Sequence, residues 1–226
     1  TDALLIGAVN TVTGARSGMK LWEEAYNRFG VTPKILIAPQ FSQTTVITSA
    51  LIQYAEKFKG ITYIDAPAGT TVNNAITGRG PLGSINFNVS SKRAELLFPH
   101  VLKYDIATDT NVIFPYSAFK AGLRAKVDAQ EGYWVSDSNH TMNGVLGSEI
   151  GITAGINDPT SDANLLNEKG ITTLFNSYGT GLRTWGNRNA SFPTNTATDS
   201  FVVVRRVADI VEESIQLACL DNMDKP

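Results

Sequence analysis

The sequence predicts an α/β fold, and three observations carry that prediction. Helical and strand patterns alternate from residue 17 to residue 65 with tight links between them. The segment Lys34–Pro39 is a short continuous apolar strand, of the kind buried on both faces of a parallel sheet. The hydrophobic content, 42% of 226 residues, is enough for a sizeable core, in one large domain or two unequal ones.

In order, Ala3–Ile6 is a short apolar strand candidate. Ser17 then precedes Leu21, Trp22, Ala25 and Phe29 at helical spacing, with Glu23 and Glu24 early, Arg28 late and Gly30 as the stop. Lys34–Pro39 reads as a buried strand. Ser42 is the candidate cap of a second helix, whose stripe is Val46, Ile47, Ala50, Leu51, Tyr54, Ala55 and Phe58. Ile61–Asp65 follows as another buried strand, completing a βαβ unit.

The stretch from Thr70 to Ser91, rich in Gly, Asn, Thr and Ser, predicts a short helix and then a loop or insertion. Ala94–Phe98 is a third strand, and residues 99–114 hold a further strand and turn. Pro115 suits the first position of a helix running to about Gln130, with Ala118, Ala121, Leu123, Ala125 and Val127 along it. After a polar turn at Ser136–Asn143 come the segment Gly144–Ile156 and a short helix at Ser161–Lys169.

Ile171–Phe175, the turn formers Asn176–Thr180 and a second arm read as a hairpin. That arm puts Leu182, Thr184 and Gly186 on one face and Arg183, Trp185 and Asn187 on the other. A strand-interior glycine marks a bulge or the close approach of another backbone. Phe201–Val204 is β-branched enough to be a strand, and a helix begins at about Arg205. Ala208, Val211, Ile215 and Ala218 form one side of that helix and Asp209, Glu212, Glu213 and Gln216 another. The polar run Thr194–Asp199 is the candidate boundary, dividing the chain into domains 1–193 and 194–226. Thr1 in place of Met, and Asp224–Pro226 just past a helix, read as ends cut from something longer.

Charge nominates no partner. Lys plus Arg number 19 against 21 for Asp plus Glu, a net charge of -2 that attracts neither nucleic acid nor an anionic membrane, and no apolar run is long enough to span a bilayer. The single cysteine, Cys219, reads as a buried thiol with no role in a disulfide or a thiolate metal site.

Candidate chemistry fails on context. Residues Gly78 to Gly83 match G-x-G-x-x-G, yet no strand leads in, no helix leads out and Pro81 removes a needed donor. Gly14–Lys20 misses phosphate-loop spacing by one residue. Only two histidines, His100 and His140, are present, and no G-x-S-x-G elbow accompanies them. His140 reads as a solvated turn residue. Glu23–Glu24 and Glu212–Glu213 read as solvated helix faces, and Arg205 and Arg206 both lie within helical reach of Asp209. No catalytic residue, cofactor or metal ligand is assigned.

Trp185, Gly186, Asn187 and Arg188, preceded by the segment Asp162–Asn167 and followed by Val204, Arg205 and Arg206, resemble the junction of contractile tail sheath proteins of phages and R-type tailocins. The proline-flanked strand Pro33–Pro39, Ser91–Arg93, Ala121–Gly122, Gly132–Trp134, Ser138–Asn139 and Gly144–Gly147 fall in the family's order, so the resemblance covers roughly residues 30 to 226. Residues 1–30 and 70–90 depart from it.

The resemblance implies a subtilisin-like α/β sandwich domain over 1–193, subtilisin-like in topology only. It also implies that 194–226 starts an α+β C-terminal domain lying nearer the tail tube. Leu182, Trp185, Gly186, Asn187, Arg188, Arg205 and Arg206 become the structural junction. The implied partners are other sheath subunits and the tail tube protein, in stacked rings that contract without nucleotide. The implied location is the phage tail of a virion, after synthesis in the host cytoplasm. The terminal arms that link neighbours in the family look missing here, so the chain by itself is expected to be monomeric. The competing readings are an α/β hydrolase or nucleotide-binding enzyme and the sheath of a type VI secretion apparatus.

Overall fold

The computed structural model describes residues 2–155, 157–220 and 223. Ile156, at the end of the Gly144–Ile156 segment, and the Asp224–Pro226 end lie outside them.

A five-stranded sheet organises the chain. It runs β1 (Ile35–Ile37), β2 (Ile61–Asp65), β3 (Ala94–Leu97), β7 (Ile171–Ser177) and β8 (Gly181–Trp185). The first four strands are parallel, and β8 returns antiparallel as the second arm of the expected hairpin. Residues 139–142 lie along the far side of β8, with the Asn139 amide donating to Thr184 at 2.7 Å and the Met142 amide to Leu182 at 2.9 Å, so that edge is covered. A smaller antiparallel sheet joins β4 (Val101–Asp105) to β5 (Thr110–Phe114) and to the two-residue β6 (Gly147–Ser148).

Period-two alternation sends successive side chains of the large sheet to opposite faces. Leu36, Ile64, Leu96 and Ile171 pack on one face against α3 (Thr45–Lys57), α4 (Val72–Thr77) and α6 (Asp162–Glu168). Ile61, Tyr63, Leu97 and Leu174 pack on the other against α5 (Tyr116–Gln130) and the first turn of α7 (Val202–Leu220). Within the predicted α3 stripe Ile47, Leu51 and Ala55 are fully buried, whereas Val46 is 55% exposed and Phe58 falls just past the helix.

Several expectations need correction. Ala3–Ile6 belongs to a helix, α1 (Asp2–Ile6), because an apolar run this short carries no period of its own and Leu5 and Ile6 find the α3 core from a helical turn. The predicted Ser17–Gly30 helix is a 3₁₀ stretch, Gly18–Glu24, followed by α2 (Ala25–Phe29), with Gly30 left-handed at its end as expected. Ser42 caps nothing. Thr44 occupies the cap position of α3, and the Ser42 hydroxyl accepts from the Asp65 amide at 3.1 Å instead. Pro115 stands one residue before α5, not inside it.

Phe201–Val204 is not a strand. Val202 already begins α7, its amide donating to Asn187 at 3.1 Å and its side chain closing the core beneath α5. The cost of three β-branched residues in the first turn is a few tenths of a kcal/mol each, about what one packed side chain outweighs. On α7 the inward side is charged and not apolar. Arg205, Arg206 and Asp209 face the body, while Val211 and Ile215 stand 50% and 59% exposed. Cys219 is exposed, not a core thiol.

Candidate functional site

Two places concentrate the chain's polar chemistry, and the larger is a buried seam between α5 and the sheet. Tyr116, Lys120, Arg124 and Asp128 recur every fourth residue and so share one face of α5. Lys120 is wholly buried. Its ammonium lies 3.2 Å from Glu95 on β3 and 3.1 Å from Asp137 in the turn before β6. Burial alone would lower the Lys120 pKa, but Asp137 and Glu95 outweigh it and hold it well above the ordinary lysine value. Burial raises the Glu95 carboxyl, with Lys120 pulling against it.

The seam continues outward. Arg124 donates to Asp128 at 2.6 Å and to the Val135 carbonyl at 2.8 Å, and Arg206 of α7 grips both oxygens of Asp128 at 2.9 and 2.5 Å. Tyr116 donates to Thr184 of β8 at 2.6 Å. Arg206 therefore pairs across to α5 and not with Asp209, contrary to expectation. Asp209 is held by Arg205 at 2.7 Å and by a close contact with Arg93. Glu212 and Glu213 are paired too, Glu213 with Lys34 at 2.7 Å and Glu212 with Arg205 at 2.6 Å.

The second place lies at the carboxyl ends of β1 and β2, where open α/β sheets commonly seat ligands. Asp65, Ser42, Ser117 and His100 converge there, all buried. Burial pushes the Asp65 carboxyl up, while the hydroxyl and amide of Ser117 and the nearby His100 pull it back. Its geometry is that of a helix cap. Asp65 accepts the Ser117 amide at 2.7 Å and the Ser117 hydroxyl at 2.5 Å, supplying α5 with the N-terminal acceptor that Pro115 lacks. In a hydrolytic triad the serine hydroxyl would donate to an imidazole that a carboxylate orients. Here the hydroxyl is spent on the carboxylate, and His100 Nε2 lies 2.8 Å from the Ala66 carbonyl oxygen. His140 is half-buried, with Nε2 3.0 Å from Glu131, so it is not simply solvated.

The junction residues form a continuous path between β8 and α7. Leu182 packs into the core under α5, and the Trp185 ring meets Phe175 edge-on at 5.6 Å on the opposite face. Gly186 sits at φ +140°, and a Cβ there would fall 2.5 Å from the Thr172 hydroxyl, which accounts for the glycine. The Asn187 carbonyl receives the first amide of α7. Arg188 lies 3.6 Å from the ring centre of Phe201 and 4.5 Å from that of Phe192, and donates to Ser200 at 2.6 Å. Arg205 and Arg206 complete the path through their ion pairs.

Sequence reasoning did not single out either buried cluster. The available signal was Lys120, Arg124 and Asp128 at helical spacing beside Tyr116. Among the described residues no helix is long and apolar enough to cross a membrane, and no group of acidic, His and Cys side chains has metal-site geometry.

A mostly parallel sheet with helices on both faces, whose buried ionisable groups bind one element to another, defines an α/β scaffold. Comparison with known proteins gives it a family: the phage tail sheath protein central domain matches residues 14–190, and the chain belongs to that family. It is 49% identical across its whole length to the tail sheath protein of Burkholderia phage BcepMu, covering 47% of that protein. It is 33% identical over 93% of its length to a putative prophage major tail sheath protein of Pseudomonas aeruginosa, covering 51% of it. The tail sheath protein of Escherichia phage P2 is 30% identical over the whole chain, which covers 54% of it. The chain thus spans about half the length of these relatives, which are structural components of the virion tail.

Solved structures agree on the fold. The contracted helical sheath of the anti-feeding prophage superposes with a TM-score of 0.64 at 22% identity, over 91% of this chain and 52% of that one. The contracted sheath complex of an extracellular contractile injection system gives 0.65 at 21% identity, over 93% of this chain and 54% of that one.

Proposed function

We propose that this chain is the central part of a contractile tail sheath subunit. The subunit assembles with other copies as stacked rings around a tail tube and contracts to drive the tube through the host envelope, without nucleotide hydrolysis. The observation that carries this reading is the family match over residues 14–190 together with near-half identity to a phage tail sheath protein from end to end. The two solved neighbours described as contracted sheaths support it at the level of fold.

In this reading residues 1–193 are the subtilisin-like α/β sandwich, supported by helices packed on both faces of the large sheet. Residues 194–226 begin the tube-proximal domain. The outward apolar face of α7 supports that division, because Val204, Val211 and Ile215 would be covered by further protein in the whole subunit. Leu182, Trp185–Arg188, Arg205 and Arg206 then form the structural junction between the two parts. The work of contraction comes from contacts exchanged between copies, and the buried ionic groups keep each copy rigid.

The test is assembly. The full-length protein, expressed with its tail tube protein, is expected to form striated tubes under electron microscopy whose contraction proceeds equally with and without ATP. The 226-residue chain alone is expected to run as a monomer in chromatography coupled to light scattering. Stable rings of the short chain would remove the monomer expectation. Labelling of Ser42 or Ser117 by a fluorophosphonate probe would overturn the structural reading in favour of a hydrolase.

A further inference from the structure

The Gly78–Gly83 run fails as a phosphate loop, yet its shape is tightly specified. A Cβ at Gly83 would lie 2.4 Å from the Gly78 Cα and 2.6 Å from the Thr77 carbonyl oxygen. A Cβ at Gly78 would lie 2.5 Å from Ile85 Cγ1. The loop after α4 therefore closes on itself where Gly83 packs on Gly78, a contact that leaves no room for a Cβ at Gly83.

Closing the loop turns Arg79 inward, where backbone carbonyls meet all five N–H donors of its guanidinium. Nε donates to Lys169 at 3.1 Å, one terminal nitrogen to Phe87 at 2.8 Å and Val89 at 2.7 Å, and the other to Ala190 at 2.9 Å and Phe192 at 2.5 Å. Among the described residues no carboxylate pairs with it, whereas Arg93, Arg124, Arg205 and Arg206 all have one. The acceptors come from three separate segments: the insertion at 87–89, the turn between α6 and β7, and the path from Trp185 toward α7. That turn and that path also touch directly, since a Cβ at Gly170 would lie 3.1 Å from the Phe192 carbonyl oxygen.

We propose that residues 78–83 are an arginine clamp, in which Arg79 acts as a positioning residue that fixes where the chain leaves the sheet on its way to α7. A planar fork with five donors can hold carbonyls from three directions at once. A lysine, with three donors on one atom, cannot reproduce that geometry. The segment after α4 is thereby a working part of the fold. The inference rests on this chain's own geometry and stands apart from the sheath reading.

Amide hydrogen exchange on the 226-residue chain tests it. In Arg79→Lys, the amides of Val89, Ala190 and Phe192 are expected to exchange at least about tenfold faster, with those of Leu36 and Ile64 unchanged. In Arg79→Ala, millimolar methylguanidinium is expected to restore protection at those three amides, where sodium chloride at equal ionic strength does not. If Arg79→Lys keeps parental protection there, or if salt rescues Arg79→Ala as well as methylguanidinium does, the clamp is refuted. Where Arg79→Ala does not fold, the lysine variant decides alone.

Discussion

α3 and α5, on opposite faces of the large sheet, do the same job with opposite chemistry. α3 meets it with Ile47, Ala50, Leu51, Tyr54 and Ala55, while α5 meets it with Tyr116, Ser117, Lys120, Leu123, Arg124 and Val127. Apolar burial is non-directional, so α3 meets the sheet mainly by area and shape, with its polar contacts (Thr48 to the Ser42 carbonyl, Glu56 to Arg93, Lys57 to Glu23) lying off the sheet-facing stripe. On the α5 side Lys120 must reach Glu95 and Asp137 together, and Tyr116 must reach Thr184, conditions that only one rotation and one height of the helix satisfy. A buried ion pair loses much of its Coulombic gain to desolvation, so the α5 seam is expected to contribute register more than stability.

The sharpest way to break that contrast is to remove one charge and then the set. Lys120→Met leaves two buried carboxylates facing each other and is expected to cost about 3–5 kcal/mol in urea unfolding. Adding Glu95→Gln and Asp137→Asn to it should recover most of that loss, because no ion is then left unpaired. If the triple variant stays as unstable as the single one, the seam holds the fold by strength and not by register. On the other face Leu51→Ala is expected to cost about 2–5 kcal/mol through the cavity it leaves, with no polar partner able to compensate.

The same contrast explains what could be read beforehand. Most of the α3 stripe was legible because apolar residues at helical spacing face a core, Val46 excepted, and β1 was legible as an unbroken apolar run. The buried side of α5 was not legible in the same way. Of the residues named along it, Ala118 and Ala125 are exposed, while the unnamed Lys120 and Arg124 are buried. Charges pass for solvent-facing until their partners are known, and those partners lie outside the helix, Glu95 on β3 and Asp137 in the turn that follows α5. The capping of α5 by Asp65 was hidden likewise, since the acceptor comes from across the sheet and not from the residue before the helix. Ser117→Ala removes the hydroxyl half of that cap. A loss of about 1–2 kcal/mol is expected, with α5 amides fraying first in hydrogen exchange.

The smallest effect concerns the outer end of the seam, where α7 joins α5, and it separates the two sides by pH. Partial burial works to raise the Asp128 carboxyl, but the grip of Arg206 and the charge of Arg124 win and hold it below the ordinary aspartate value. A carboxyl whose folded pKa is depressed adds stability that is fully present above its unfolded value of about 3.9 and is lost as pH falls through the lower folded one. The cost of Arg206→Gln, measured by urea unfolding, should therefore be clear at neutral pH and shrink as the solution is taken below about pH 4. The cost of Leu51→Ala has no titrating partner and should stay level across the same range. An Arg206→Gln penalty that does not change with pH would mean that α7 is held by packing at Val202 and by Asp209, with the Asp128 pair incidental.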